Sequence, residues 1–122
     1  MLSAGVAFAA AKGSPPPVPA KAADAIRLVA TSAEKKDLAG LRALMVDNFI
    51  WSFGGDESAA QAIDQWKSDP KYLRELQRVL RKRCHVSDAD HVECPGQGGV
   101  TFRAGFVRLE TCWKMEFFVE GD

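Results

Sequence analysis

Residues 100–120 read VTFRAGFVRLETCWKMEFFVE, and this stretch decides the fold. Apolar and polar side chains alternate through 100–108 and again through 112–120, which is the period of a half-buried β-strand. A turn between the two runs makes them an antiparallel hairpin. The predicted core face carries four pairs: Phe102 with Val119, Ala104 with Phe117, Phe106 with Met115, and Arg108 with Trp113. The same register places Phe118 on the opposite face, because a one-residue slip moves every side chain to the other side.

The segment upstream of the hairpin has the spacing of helices. Apolar residues recur every three or four positions in 20–36, which predicts a first helix, and Asp37 is a suitable N-cap for a short second one. The aromatic and β-branched run 49–53 predicts a strand. A third helix follows the capping residues 56–58, and a fourth follows Asp69-Pro70, whose proline suits the first helical position.

Composition and charge indicate one globular domain. The chain has 122 residues, 47% of them hydrophobic, and its 16 basic and 16 acidic side chains give a formal net charge of zero. A neutral chain has no global attraction to nucleic acid, so no nucleic-acid partner is predicted. The charges are nevertheless segregated, with seven basic and two acidic residues in 66–83 and three basic and seven acidic residues in 84–122. Either the two segments neutralise each other, within the fold or across a dimer, or the basic helix binds phosphate.

The N-terminal residues resemble the back half of a secretory signal peptide. The apolar run 2–11 is too short to span a bilayer, so no stable membrane insertion is predicted, and Ala7-Phe8-Ala9 has the small-x-small form of a cleavage site. We therefore expect 1–19 to be a signal-peptide remnant with a proline-rich linker, and 20–122 to be the folded domain. The expected location is the periplasm or the extracellular space. A disordered alanine-rich tail on a cytosolic protein is the alternative.

Three cysteines follow the helical segment. Cys84 and Cys94 enclose a short polar stretch that has little of its own to pack on. In an oxidising compartment a disulfide would hold it, with a stabilisation of about 2.5–3 kcal/mol in the loop-entropy model. Cys112 is then a free thiol or an intermolecular link. Proximity alone favours this pairing over the other two.

Three stretches resemble the nuclear transport factor 2-like superfamily, which includes the SnoaL-like domains. They are 36–41 (KDLAGL), 49–56 (FIWSFGGD) and 113–119 (WKMEFFV). Residues 102–106 and 118–122 are similar to the end of small exported bacterial proteins of this type. The resemblance implies an α+β fold in which N-terminal helices pack on a curved antiparallel sheet, forming a single cone-like domain with a pocket.

The region 68–83 departs from the superfamily pattern, because it reads as helix where the superfamily more often has sheet. Only three or four strands are visible in the whole sequence. A small barrel of the bacterial Src-homology-3-like kind with added helices is therefore the second architecture.

Candidate ligand-pocket residues are aromatic or charged side chains at strand ends and on apolar helix faces. They are Trp51, Phe53, Asp56, Trp66, Phe106, Arg108 and Trp113. Each has an alternative interpretation. Periodic aromatic residues also form ordinary cores, Asp56 suits a helix cap, and Arg108 suits a solvated rim.

Catalytic and metal-binding motifs are missing from the sequence. Enzymes of the SnoaL-like kind use pocket histidines and aspartates, but His85 and His91 both lie between Cys84 and Cys94, away from the predicted core face. The ligand types in 84–94 would suit a divalent metal, yet their spacing matches no zinc motif. We therefore predict no catalytic residue, no metal and no cofactor.

Three functions follow from these observations. The first is an exported, non-catalytic accessory module that binds a small molecule or a protein. The second is a small-molecule isomerase or hydrolase of the SnoaL-like type that uses Asp56. The third is a structural envelope protein that forms a homodimer, which the charge segregation and Cys112 favour.

Overall fold

A computed structural model describes residues 16–52, 57–95 and 102–120 of the chain. The helices in these ranges are α1 (Ala20–Glu34), α2 (Leu38–Ala43), α3 (Ala59–Ser68) and α4 (Lys71–Arg81). The strands are β1 (Met45–Ile50), β2 (His85–Asp88), β3 (His91–Cys94), β4 (Phe102–Leu109) and β5 (Cys112–Glu120). Most of the predicted leader, together with Phe53 and Asp56, lies outside the described residues.

The five strands form one sheet in the order β1-β5-β4-β3-β2. Strands β2 to β5 pair antiparallel, whereas β1 lies parallel to β5 at one edge. This mixed sheet is not closed, and the helices pack against it, so the predicted α+β class is confirmed and a closed barrel is not formed. β1 begins at Met45, earlier than the predicted strand, because the Met115 backbone N–H donates to the Leu44 carbonyl at 2.8 Å.

Local sequence signals explain where the helices begin. The Asp37 carboxylate accepts a hydrogen bond from the Gly40 backbone N–H at 2.9 Å, and the Ser58 hydroxyl accepts one from Gln61 at 3.2 Å. Both contacts satisfy N–H groups that have no partner inside the helix. The buried face of α1 consists of small and β-branched residues: Ala22, Ala25, Val29 and Ala33.

The β4–β5 hairpin corrects part of the predicted register. Near the turn, Phe106 pairs with Met115 and Arg108 with Trp113, as expected. The register then shifts by one residue between Gly105 and Phe106, so Ala104 pairs with Phe118 and Phe102 with Glu120. Phe118 is therefore the buried ring, and Phe117 is only partly buried. An extra residue in one strand has this effect because it exchanges the two faces beyond it.

The Phe117 ring lies directly over Gly105 on the face of the sheet away from the core. A Cβ atom on Gly105 would be 2.1 Å from Cε2 of Phe117, so only glycine leaves room for the ring in this position. The close approach accounts for a glycine in the middle of a strand.

The predicted polar loop between Cys84 and Cys94 is a β-hairpin rather than an irregular loop. β2 and β3 pair with each other, and β3 pairs with β4. The expected disulfide between Cys84 and Cys94 is present, and Cys112 is an exposed free cysteine. The hairpin does have something to pack on, since Val92 and Cys94 are fully buried in the core.

Candidate functional site

The predicted pocket residues lie in different parts of the described structure. Phe106 is fully buried in the core, and Trp66 is 2% exposed. Arg108 is exposed at the end of β4. Within the described residues, Trp113, Trp51 and Trp66 line three different surface clefts.

The Trp113 groove lies between the first half of α1 and the β4–β5 turn, and its volume is about 340 Å³. Its apolar residues are Ala25, Leu28, Leu44 and Trp113. Its polar residues are Lys21, Asp24, Thr111 and Cys112. A concave, mostly apolar surface with a few polar groups at its edge is the usual composition of a small-molecule site.

Leu28 and Trp113 give the groove its apolar surface. Leu28 is 53% exposed, and Trp113, which is 7% exposed, belongs to the core and also lines the groove. At the rim, the Asp24 carboxylate is engaged by an ion pair with Arg27. Cys112, an exposed free cysteine, also lines the groove.

The other two tryptophans line clefts of different chemistry. Trp51 lies in a polar cleft of about 460 Å³ with Gln61, Asp64, Gln65 and Ser68. Trp66 lies in a smaller cleft of about 210 Å³, lined by Lys36, Leu38, Lys67, Pro70 and Leu73.

A charged cluster that the sequence did not predict lies on the outer face of the sheet. His91 Nδ1 is 2.7 Å from Oδ1 of Asp88, and His91 Nε2 is 3.4 Å from Oε1 of Glu116. Next to it, the Arg108 guanidinium donates to Oδ1 of Asp90 from Nε at 3.0 Å and from Nη2 at 2.7 Å. Arg108 therefore binds a carboxylate of its own chain. We call His91, Asp88 and Glu116 the His91 cluster.

Hydrogen bonding controls the charge state of the His91 cluster. The hydrogen bond to Asp88 raises the pKa of His91 above 6.5, and the Glu116 carboxylate adds to this effect. The same hydrogen bond lowers the pKa of Asp88. An imidazolium donates to both carboxylates, whereas a neutral imidazole donates from only one nitrogen. The cluster is thus held together best when His91 is protonated.

The pH dependence of stability tests this geometry. The pKa of His91 is higher in the folded protein than in the unfolded chain. The stabilisation that protonated His91 provides is therefore complete below about pH 6.5 and is lost as the pH rises through the folded pKa. We expect His91→Gln to lower the free energy of unfolding by about 0.5 kcal/mol or less near pH 6, since the group is well exposed, and by less near pH 9. Urea unfolding of both proteins at several pH values measures this.

The variant Asp88→Asn is the matched control for that experiment, because it removes the main cause of the raised pKa and leaves the imidazole in place. It should flatten the pH dependence as His91→Gln does. A difference between wild type and His91→Gln that is constant from pH 6 to 9, or that increases with pH, would contradict the assignment.

Neither a metal site nor a membrane span is found in the part of the chain that the structure describes. No group of three or more histidine, cysteine, aspartate or glutamate side chains there has an arrangement that could hold a metal ion. Among the described residues, no helix is long and apolar enough to cross a membrane.

Comparisons with known proteins support the fold rather than a family. No protein-family model matches the chain, and no curated protein matches it. A computationally designed 17-OHP binder has a similar structure, with a TM-score of 0.54, 12% sequence identity, and coverage of 86% of this chain and 92% of that chain.

Two further solved structures are more distant. A de novo designed protein with a curved β-sheet has a TM-score of 0.45 at 16% identity, covering 80% of this chain and 93% of that chain. LinA has a TM-score of 0.44 at 14% identity, covering 98% of this chain and 88% of that chain. The likeness to the designed binder concerns the fold alone.

Proposed function

We propose that this protein is an exported, non-catalytic binding module of the nuclear transport factor 2-like type that takes apolar small molecules in the Trp113 groove. The observation that carries the proposal is a groove of about 340 Å³ that the exposed Leu28 side chain lines together with Trp113. A ligand seated there would remove apolar surface from water. At about 25 cal/mol per Å², this is the main favourable term for an apolar ligand.

The exposed apolar side chains support the choice of this groove. Among the described residues, the large apolar side chains with high exposure are Leu28, Ile50 and Leu109. Leu28 has the highest exposure of the three, and it lines the Trp113 groove. Concave apolar surface of this kind is typical of binding sites, whereas single exposed apolar residues on convex surface are common.

Binding without catalysis is favoured by where the titratable groups lie. No histidine is among the described residues that line the groove, and the acidic residue there, Asp24, is paired with Arg27. The His91 cluster is on the outer face of the sheet, away from the groove, and the His91 side chain is 39% exposed. Water screens the contacts between His91 and its carboxylate partners. The cluster therefore lacks the enclosed environment in which general acid–base groups are most effective.

The disulfide supports the proposed location. Bonds of this kind persist in oxidising compartments and are rare in the cytosol. The Cys84–Cys94 bond therefore agrees with export to the periplasm or the extracellular space. The name of the similar designed binder, which refers to a small ligand, is consistent with a binding role for this fold.

Alkylation of Cys112 tests the groove directly. The other two cysteines are joined in a disulfide, so iodoacetamide modifies Cys112 alone in the folded protein. With N-phenyl-1-naphthylamine as the apolar probe, we expect increased probe fluorescence and slower alkylation of Cys112 at saturating probe. We expect Leu28→Gln to weaken probe binding about tenfold, because a large part of one leucine contact is lost.

Ile50→Gln is the matched control, since it removes an exposed apolar side chain outside the groove. It should leave both the probe affinity and the protection of Cys112 unchanged. Probe binding that leaves the alkylation rate unaltered, or that Leu28→Gln and Ile50→Gln weaken equally, would show that the ligand binds elsewhere. Absence of probe binding to the folded protein would also contradict the proposal.

A further inference from the structure

Helix α4 presents a row of basic side chains to solvent. Lys71, Arg74, Arg78 and Arg81 follow a spacing of three, four and three residues, so they lie on one side of the helix. The opposite side buries Leu73, Leu76, Val79 and Leu80 in the core. The row is about 15 Å long at 1.5 Å per residue. We call it the basic face.

Few acidic side chains of the described residues lie close enough to neutralise the basic face. Among the described residues, Arg78 is 3.8 Å from Glu75, and neither Arg74 nor Arg81 has a carboxylate within ion-pair distance. Arg81 donates only to the neutral Gln77 amide, at 3.5 Å. The sequence predicted that the basic and acidic segments neutralise each other within the fold or across a dimer. Within the described fold, the paired acidic residues of the second segment contact His91, Arg103 and Arg108 instead of the basic face.

The Trp66 cleft lies next to the N-terminal end of the basic face. Leu38, Pro70 and Leu73 supply its apolar surface, and the exposed residues Lys36 and Lys67 also line it. The combination of two ammonium groups with an apolar cleft fits an amphipathic anion, which has a charged head and an apolar tail. A fully polar polyanion would contact only the two lysines and would leave the apolar surface of the cleft uncovered.

From these two features we propose that the basic face and the Trp66 cleft together form a docking surface for a bilayer rich in anionic lipids. A straight row of cations on a rigid helix contacts a planar array of phosphates along its whole length. Clusters of four to eight Lys and Arg side chains are typical of such electrostatic adsorption. The protein lies on the bilayer without inserting, and the surface is separate from the Trp113 groove.

Sedimentation with lipid vesicles tests the proposal. We expect the wild-type protein to sediment with vesicles of phosphatidylcholine and phosphatidylglycerol at low salt, and not with vesicles of phosphatidylcholine alone. High salt should release it, because exposed charges are screened within about 10 Å at 0.1 M ionic strength. Arg74→Glu/Arg81→Glu should weaken partitioning at least about tenfold.

The double variant Arg27→Glu/Lys114→Glu is the matched control, because it changes the net charge equally at positions outside α4. It should retain binding within about threefold, since only charges near the bilayer contribute. Circular dichroism spectra check that both variants are folded.

Failure of wild type to bind the anionic vesicles at low salt would overturn the proposal, and so would equal losses of binding in the two variants. Binding to heparin or single-stranded DNA in preference to the vesicles would indicate a polyanion partner and would overturn it too.

Discussion

Phe118→Ala is expected to lower the free energy of unfolding by about 3–5 kcal/mol, which is the usual loss when a buried aromatic residue is substituted by alanine. The Phe118 side chain is 2% exposed. Its ring packs edge-on against Trp66 at a centroid distance of 5.8 Å and stacks on Phe102 at 5.2 Å. Removing it would leave a cavity between α3 and the sheet that neighbouring side chains can fill only in part. Urea unfolding followed by tryptophan fluorescence measures the loss.

Phe117→Ala is the control, because it removes the same number of atoms from the adjacent residue. The Phe117 ring lies on the outer face above Gly105, where it is partly exposed, so we expect less than half the loss of Phe118→Ala. Equal losses, or a larger one for Phe117→Ala, would mean that the register of β4 and β5 has no shift. Constant m-values would show that both variants unfold from equally compact states.

The hairpin shows how far the sequence alone predicts this fold. The pairs next to the turn follow from alternation, because no residue interrupts the pattern between Phe106 and Met115. Farther from the turn, Phe117 and Phe118 are both large and apolar, so hydrophobicity does not distinguish which one faces the core. The signal that was present is Gly105, since a glycine inside a strand often marks a bulge or a close approach.

Helix starts were easier to predict than sites. Asp37 and Ser58 accept hydrogen bonds from residues three positions later, so their role depends on neighbouring sequence alone. The Trp113 groove, in contrast, joins α1 to the β4–β5 turn, which are far apart in the sequence. Likewise, the contact from His91 to Glu116 joins β3 to β5, which lie on either side of β4 in the sheet. Such sites become visible only once the tertiary structure is known.

Removal of the disulfide, as Cys84→Ala/Cys94→Ala, is expected to lower the free energy of unfolding by about 2.5–3 kcal/mol, chiefly because the unfolded chain regains the freedom of the closed loop. The native hairpin should persist, since β3 pairs with β4 and Val92 is fully buried. Guanidinium unfolding of the variant beside the oxidised wild type measures this difference.

Cys112→Ala is the control for the disulfide variant, because Cys112 is exposed and unpaired, and it should change stability by less than about 0.5 kcal/mol.

Hydrogen exchange should locate the effect of the double variant Cys84→Ala/Cys94→Ala. β2 is an edge strand of the described sheet and pairs with β3, so its amides should lose more protection than those of β4 and β5. A double variant as stable as wild type would show that strand pairing alone holds the hairpin. Free thiols at Cys84 and Cys94 in the exported protein, detected by mass spectrometry of non-reduced peptides, would remove the bond as evidence for an oxidising compartment.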